Sequence, residues 1–372
     1  MSEVKEGPGA PAGDADAPLS ARAKALLSTL SLLLFAAFDL GLRLFHVNAA
    51  YRARTPTPFA REDPIVGYRL RSNLDVTETP SAPLRLDRVL QIAPLPAFRV
   101  RTNALGLRHD GEISLPAPPG AYRILALGDS YTFGYGVDLD AAYPTVVGRE
   151  IARRMPDRKV EAVDAAQPGH SSVQGRLFYE RILDGVQADL VTVSYGANDY
   201  GVGIVGYPSA QKKLDVVTGV FQKARCLFLH TETFVLFLRA RDALDRKIKK
   251  KVLPKLPGPG EVRGRPEDCR AALAAIVAAA KARGARQVIV VTQARAPGDV
   301  NEPFYREAAV QAAAESGAEI ADAAAAMERA MEALPTPEGG WGLTPNRFFV
   351  DPTHLTAEGH RVAAEAVLAV AR

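Results

Sequence analysis

Cysteine and tryptophan are scarce in this chain, and neither sign of charge dominates. Two cysteines, Cys226 and Cys269, in 372 residues exclude a disulfide framework and a zinc ribbon. They leave room for one disulfide in an oxidising compartment or for two free thiols. The net charge of +4, from 46 Lys and Arg against 42 Asp and Glu, is modest. No basic stripe interleaves with aromatics, which argues against a nucleic-acid partner. The zinc-protease pattern HExxH and the phosphate loop GxxxxGK followed by Ser or Thr do not occur in the sequence, so neither chemistry is indicated. Gly201-x-Gly203-x-x-Gly206 spells a dinucleotide fingerprint by letters, but it does not directly follow a strand, and Pro208 stands where a helix should begin. Asp138-x-Asp140 lacks the rest of a calcium loop. No metal or organic cofactor is expected. The bulk composition, 47% apolar and 24% charged, is that of a globular protein with one large domain or two ordinary ones.

Residues 1–21 are rich in Gly, Pro, Ala and Asp, lack an apolar period, and read as a disordered tail. Arg22 and Lys24 then precede an apolar stretch from Ala25 to Phe45 that holds eight leucines and phenylalanines ahead of Asp39; Asp39 and Arg43 interrupt it near its end. It just reaches the roughly 20 residues that span a bilayer. A cleaved signal peptide would need a better small-residue site than His46-Val47-Asn48-Ala49-Ala50. A soluble amphipathic helix would carry a very apolar surface. A transmembrane signal anchor over 22–46 fits best, with Asp39 and Arg43, four apart, able to pair near the far interface. Basic residues on both flanks orient it weakly. With the short tail inside, the remaining chain faces the periplasm or exterior.

Residues 55–121 are proline-rich with short strand-like pieces at 67–70 and 98–102, which predicts a small β-rich preface. From 122 onward, strand-like apolar runs at 122–128, 159–164, 189–195, 286–292 and 318–321 alternate with helical stretches near 142–155, 172–186, 266–283, 302–316, 323–333 and 356–371. That rhythm predicts an α/β fold, a parallel, doubly wound sheet in three layers, α/β/α. The segment 204–265 breaks the rhythm. It carries the apolar run 234–238, then Arg239, Arg241, Arg246, Lys247 and Lys249 to Lys251, and ends in Pro254, Pro257 and Pro259. A solvated basic helix with a loop, or a lid or membrane-surface contact, would both account for it.

The chemistry gathers at the ends of the strand-like runs. Gly128-Asp129-Ser130 ends the first. A serine there sits where open α/β sheets bind ligands, and a following helix would aim backbone N–H groups at a developing oxyanion. Asp351-Pro352-Thr353-His354 puts a carboxylate and an imidazole on one short loop. The carboxylate can hold one ring nitrogen and leave the other to accept a serine proton. Ser194-Tyr195-Gly196-Ala197-Asn198-Asp199 follows the third run, and the Asn198 amide can donate to an oxyanion. Gly169, in Ala166-Gln167-Pro168-Gly169-His170, follows the second run and offers a further backbone N–H. In a parallel sheet these ends share one edge. His46, His109, His170, His230 and His360 have no carboxylate at productive spacing and read as surface or packing residues.

In these four blocks, taken in order, residues 122–372 resemble the SGNH hydrolases, also called the GDSL esterase/lipase superfamily. The resemblance implies a flavodoxin-like α/β/α fold with Ser130 as nucleophile, His354 as base and Asp351 orienting it. It further implies an oxyanion hole made by the backbone N–H groups of Ser130 and Gly169 with the Asn198 side chain. The expected function is hydrolysis of acyl or acetyl esters of a carbohydrate or lipid through an acyl-serine intermediate. Transfer of the acyl group to a saccharide or lipid hydroxyl would use the same residues. A non-catalytic carbohydrate-binding protein on the same pocket is the alternative from another class.

Overall fold

A computed structural model describes residues 20–47, 59–63, 65–78, 97–200, 231–237, 239–240, 263–297, 302–335 and 346–372. The tail at 1–19, Cys226, His230, Gly201 to Gly206 and most of the segment 204–265 lie outside the described residues.

The largest sheet among the described residues is built from five parallel strands: β5 (Tyr122–Gly128), β6 (Val160–Asp164), β7 (Leu190–Ser194), β8 (Gln287–Val291) and β9 (Glu319–Ala321). Their spatial order is β6-β5-β7-β8-β9, the flavodoxin-like doubly wound order. Helices join them: α3 (Tyr143–Arg154), α4 (Ser172–Leu177), α6 (Pro266–Ala282), α7 (Glu302–Ser316), α8 (Ala323–Glu332) and α9 (Ala357–Leu368). Two single-turn helices, α2 (Ser130–Phe133) and α5 (Ala197–Tyr200), cap the carboxyl ends of β5 and β7. Alternation along the strands feeds two cores. Leu125, Leu127, Val191 and Val290 join the apolar faces of α4, α6 and α7. Ile124, Leu190, Ile289 and Val291 meet α3, α8 and α9 on the other side. In α6 the buried set Cys269, Leu273, Ile276, Val277 and Ala280 recurs at three- and four-residue steps, which is why this sequence forms a helix against a sheet.

The expected helix at 172–186 is shorter. After α4 the chain widens into one π turn at Phe178–Ile182, closed by the Leu183 N–H on the Phe178 carbonyl, and Gly185 then turns in the left-handed region at φ +83°.

Ahead of this domain, β1 (Ala60–Asp63) pairs antiparallel with β2 (Gly67–Leu70), and β3 (Asp75–Glu78) with β4 (Phe98–Arg101). Phe59, Leu70, Phe98 and Val100 pack on Phe133 of α2 and on Ala166. Arg108 is fully buried; its guanidinium donates to the carbonyls of Phe133, Gly134, Arg99 and Val137 and lies 4.3 Å over the Phe133 ring. Burying a guanidinium requires this many acceptors. The preface is therefore knitted to the turn that follows Ser130.

The N-terminal helix α1 spans Ala21–Leu44, capped by the Ser20 hydroxyl on the Ala23 N–H at 3.2 Å. It is the one helix among the described residues long and apolar enough to cross a membrane, and no residue of its most apolar window is buried. Only Asp39 and Leu42 on it are buried.

Candidate active site

Ser130 opens α2 directly after β5. Gly128 before it has no tolerance for a side chain, since a Cβ would meet Thr132 Oγ1 at 2.0 Å and the Ser194 carbonyl at 2.9 Å. Asp129 caps the turn through the Tyr131 N–H at 2.9 Å, and Gly134 closes it in the left-handed region at φ +73°. The serine hydroxyl is left half-exposed at the sheet edge.

From 224 residues away, the His354 ring comes within hydrogen-bond reach: Nε2 lies 2.9 Å from Ser130 Oγ. On its other side, His354 Nδ1 is 2.6 Å from Asp351 Oδ2. The loop is fixed by its own hydrogen bonds. Asp351 Oδ1 accepts from the backbone N–H groups of Thr353 (2.8 Å) and His354 (2.7 Å), an Asx-type turn. The Asn346 carboxamide accepts from the Phe348 and Phe349 N–H groups, and the Ala296 N–H holds the Pro352 carbonyl at 3.1 Å. Burial alone would raise the Asp351 carboxyl, but the adjacent His354 and these N–H donors outweigh it and hold the group well below the usual carboxylate range. An ionised Asp351 accepts a hydrogen bond from the Nδ1–H, so a neutral ring in that tautomer presents its Nε2 lone pair to the serine hydroxyl.

Asn198, in α5 at the end of β7, reaches the same place. Its Nδ2 donates to Asp129 Oδ2 at 2.9 Å, leaving its second N–H for another acceptor. Gly169 lies beyond β6 in the left-handed region at φ +81°. Its loop tracks β5, with the Gln167 N–H on the Gly128 carbonyl at 2.9 Å. Among the described residues, neither the Ser130 nor the Gly169 backbone N–H is given to an acceptor. Ser130, His354 and Asp351 thus form one line of contacts. Asn198 joins them through Asp129, while Gly169 shares the edge and makes its own contacts elsewhere.

Three supporting residues had not been singled out from sequence. Gln293, two residues past β8, donates to Asp129 Oδ1 at 2.9 Å and accepts the Ala197 N–H at 2.9 Å. It ties the serine block to the asparagine block; a glutamine at the end of the fourth apolar run was the available signal. Asp129 itself is fully buried and its carboxyl is pushed up by burial, against the donors from Tyr131 and Gln293. Arg263 is buried, and its Nη2 donates to the Gly169 carbonyl at 2.8 Å and to Gln174 Oε1 at 2.5 Å. The preface braces the same loop, since Gln167 Oε1 accepts the Leu70 N–H at 2.8 Å and His170 Nε2 lies 2.7 Å from the Tyr68 carbonyl. His170 and His360 are packed inside, with burial lowering them to about 4 and about 3. Tyr135 faces the His354 ring at 5.1 Å and Phe98 at 5.1 Å, giving the imidazole an aromatic wall. Among the described residues there is no His, Cys, Asp and Glu group able to hold a metal ion.

An aligned hydroxyl, imidazole and carboxylate with amide donors at one edge can carry out acyl chemistry. Distant solved structures share parts of the chain. LAE5, an alpha/beta hydrolase enzyme from the metagenome of Lake Arreo, is 16% identical over 67% of this chain and 95% of its own, at a TM-score of 0.43. Axe2, an acetylxylan esterase from Geobacillus stearothermophilus, is 15% identical over 67% and 94%, at 0.43. No curated protein matches the chain. The profile of the GDSL-like Lipase/Acylhydrolase family matches residues 126–362, from the middle of β5 into α9, so it takes in Ser130, Gly169, Asn198, Asp351 and His354 and well over half of the sequence. The chain belongs to the GDSL-like lipase/acylhydrolase family of ester-cleaving hydrolases.

Proposed function

We propose that the protein is a serine esterase that hydrolyses acyl or acetyl esters of a carbohydrate or lipid through an acyl-Ser130 intermediate. The observation that supports this reading most is the continuous line from Asp351 Oδ2 through His354 to Ser130 Oγ, with steps of 2.6 and 2.9 Å. In this reading His354 Nε2 takes the Oγ proton as Oγ attacks the ester carbonyl carbon. Negative charge moves to the carbonyl oxygen, where the N–H groups of Ser130 and Gly169 and the free Asn198 N–H receive it. Collapse breaks the bond to the alcohol, which leaves with the proton from His354. Water then gives a proton to Nε2 and attacks the acyl carbon, releasing the carboxylic acid and restoring the serine. Asp351 stays ionised throughout. It holds the ring's tautomer and offsets the imidazolium charge.

The helix α1 anchors this catalytic domain in a membrane, with the domain on the periplasmic or outer side. Support comes from its length and its exposed leucines: Leu32, Leu33 and Leu34 are each more than 60% exposed, a surface that water disfavours and hydrocarbon does not. The 204–265 segment is an insertion into the hydrolase domain of 122–372.

The test is turnover of p-nitrophenyl esters from acetate to palmitate by the purified full chain in detergent. Turnover is expected, with the best chain length marking the acyl pocket, and Ser130→Ala is expected to abolish it. Wild-type rates in Ser130→Ala would overturn the assignment. Product analysis with a sugar present distinguishes water from a hydroxyl as acceptor.

A further inference from the structure

Near the end of α1 stands Asp39, an acid where an apolar helix should carry none. It is 8% exposed. An ionised carboxylate at a bilayer boundary requires partners, and the structure supplies them from a distant part of the chain. Thr233 donates to Asp39 Oδ1 twice, from its backbone N–H at 2.8 Å and from its hydroxyl at 3.0 Å. Arg43, one turn on, lies 3.5 Å from the other carboxylate oxygen. A second tie follows: Arg239 Nη1 donates to the Val47 carbonyl at 2.7 Å, just past the end of α1. Asp39 and Leu42, three apart and so on one face, are the only buried residues of the helix. The helical residues 232–237 are thereby fastened beside the last turns of α1.

Their depth follows from the geometry. Asp39 is five residues from the end of α1 at Leu44, about 8 Å along a helix axis at the usual rise. That is the depth of the boundary between headgroups and acyl chains. At this level the short helix turns apolar residues outward. Phe237 is 61% exposed and stacks on Phe234 with ring centroids 6.2 Å apart. On α1 itself Phe38 and Leu40, flanking Asp39 in sequence, are 53% and 55% exposed. Arg239, exposed, stands at the far end of the short helix. An aromatic pair followed by a cation is the pattern of a segment lying in a membrane interface, with rings among the upper acyl chains and the guanidinium at the phosphates.

We infer that the helical residues 232–237, with Arg239 beyond them, form a second membrane contact, an interfacial helix that lies against the phospholipid bilayer spanned by α1 and is held at that depth by Thr233 on Asp39. This rests on the reading of α1 as an anchor, and the occupant is the lipid itself. The other partner that could cover Phe237, a further protein, is an outcome of the test.

The experiment places single tryptophans in the full chain. The native Trp341 is replaced by Phe, and the protein is reconstituted in phosphatidylcholine–phosphatidylglycerol vesicles that carry bromine either high on the acyl chains or near their ends. Phe237→Trp is expected to lose roughly half of its emission to the shallow bromines and little to the deep ones, as a ring at the headgroup–acyl boundary does. Leu33→Trp, at the middle of α1, is expected to respond the other way. Adding Asp39→Leu to the Phe237→Trp probe removes the acceptor of Thr233 and is expected to reduce the shallow quenching. Phe237→Trp unquenched while Leu33→Trp is quenched would overturn the interfacial helix and leave the anchor standing, and would point to a protein cover instead. Both probes unquenched would overturn the anchor and with it this inference. Because Phe237 is exposed and remote from Ser130 in sequence and contacts, ester turnover by its variant is expected to match that of the parent, which verifies folding.

Discussion

At the carboxyl edge of the sheet, Asp129 and Asp199 are fully buried and Gln293 nearly so, while along α1 Leu26, Leu32 and Leu33 lie more than 60% open. The two regions invert the usual partition of polar and apolar residues, and each inversion has a separate physical resolution. The buried polar groups of the edge are satisfied by each other: Asp129 by Tyr131, Gln293 and Asn198, and Asp199 by the N–H and hydroxyl of Ser172 at 2.9 and 2.6 Å. The exposed leucines of α1 are covered by nothing among the described residues. A closed polar network points inward to chemistry, whereas an open apolar surface points outward to a surrounding phase.

Asp351→Asn breaks the first region most severely. The carboxamide can still sit beside Nδ1 but neither favours the required tautomer nor offsets the imidazolium, so kcat should fall about 10^4-fold with the fold intact. Steady-state kinetics alongside a melting curve check this. Asn198→Ala removes one donor of the proposed oxyanion hole and should cost about 10^2- to 10^3-fold in kcat, with KM little changed. Gln293→Leu leaves every reacting group in place and loosens only the link between Asp129 and Ala197. A loss of about tenfold in kcat is expected, and Gln293→Glu, which keeps the acceptor for the Ala197 N–H but presents a second carboxylate to Asp129, should do no better.

The second region is broken by charge. Leu30→Arg together with Leu34→Arg puts two cations on one face of α1. At about 2.5–3.5 kcal/mol each on the insertion scale, the pair should shift the protein out of the membrane fraction while ester turnover per molecule in detergent is unchanged.

A smaller effect appears in stability against pH. Burial raises the Asp164 carboxyl from its ordinary 3.8 to about 7, although Arg108 and the Ala166 N–H work against this. The folded state then keeps a proton that the unfolded chain has released. The contribution is full below pH 3.8 and is lost as pH rises through 7. Asp164→Asn should flatten the fall in melting temperature across that window; a slope equal to the parent's would show that another group sets it.

Much of the candidate site's layout at the sheet edge was legible in the sequence. Ser130, Asn198 and Gly169 each follow an apolar run, and a parallel sheet brings such ends together whatever the loops between them. Asp351 and His354 are three apart on one loop, so their pairing needed no tertiary information. The supporting groups were not legible for the converse reason. Gln293 reaches Asp129 across 164 residues and Arg263 reaches Gly169 across 94. No local pattern distinguishes these polar side chains from solvated ones. Arg108 is the extreme case: a buried guanidinium reads as surface charge until its carbonyl acceptors are in place. Likewise the pairing of Asp39 with Arg43 followed from helical spacing, while its partnership with Thr233, 194 residues on, came only from the fold.

The central claim is that an acyl group passes through Ser130. Rapid quenching of the full chain with a p-nitrophenyl ester, followed by mass spectrometry of the digested protein, tests it directly. An increment equal to the acyl group is expected on the peptide that contains Ser130, present in the first turnover and absent in Ser130→Ala. Steady turnover with no adduct on that peptide, or an adduct on another residue, would contradict it.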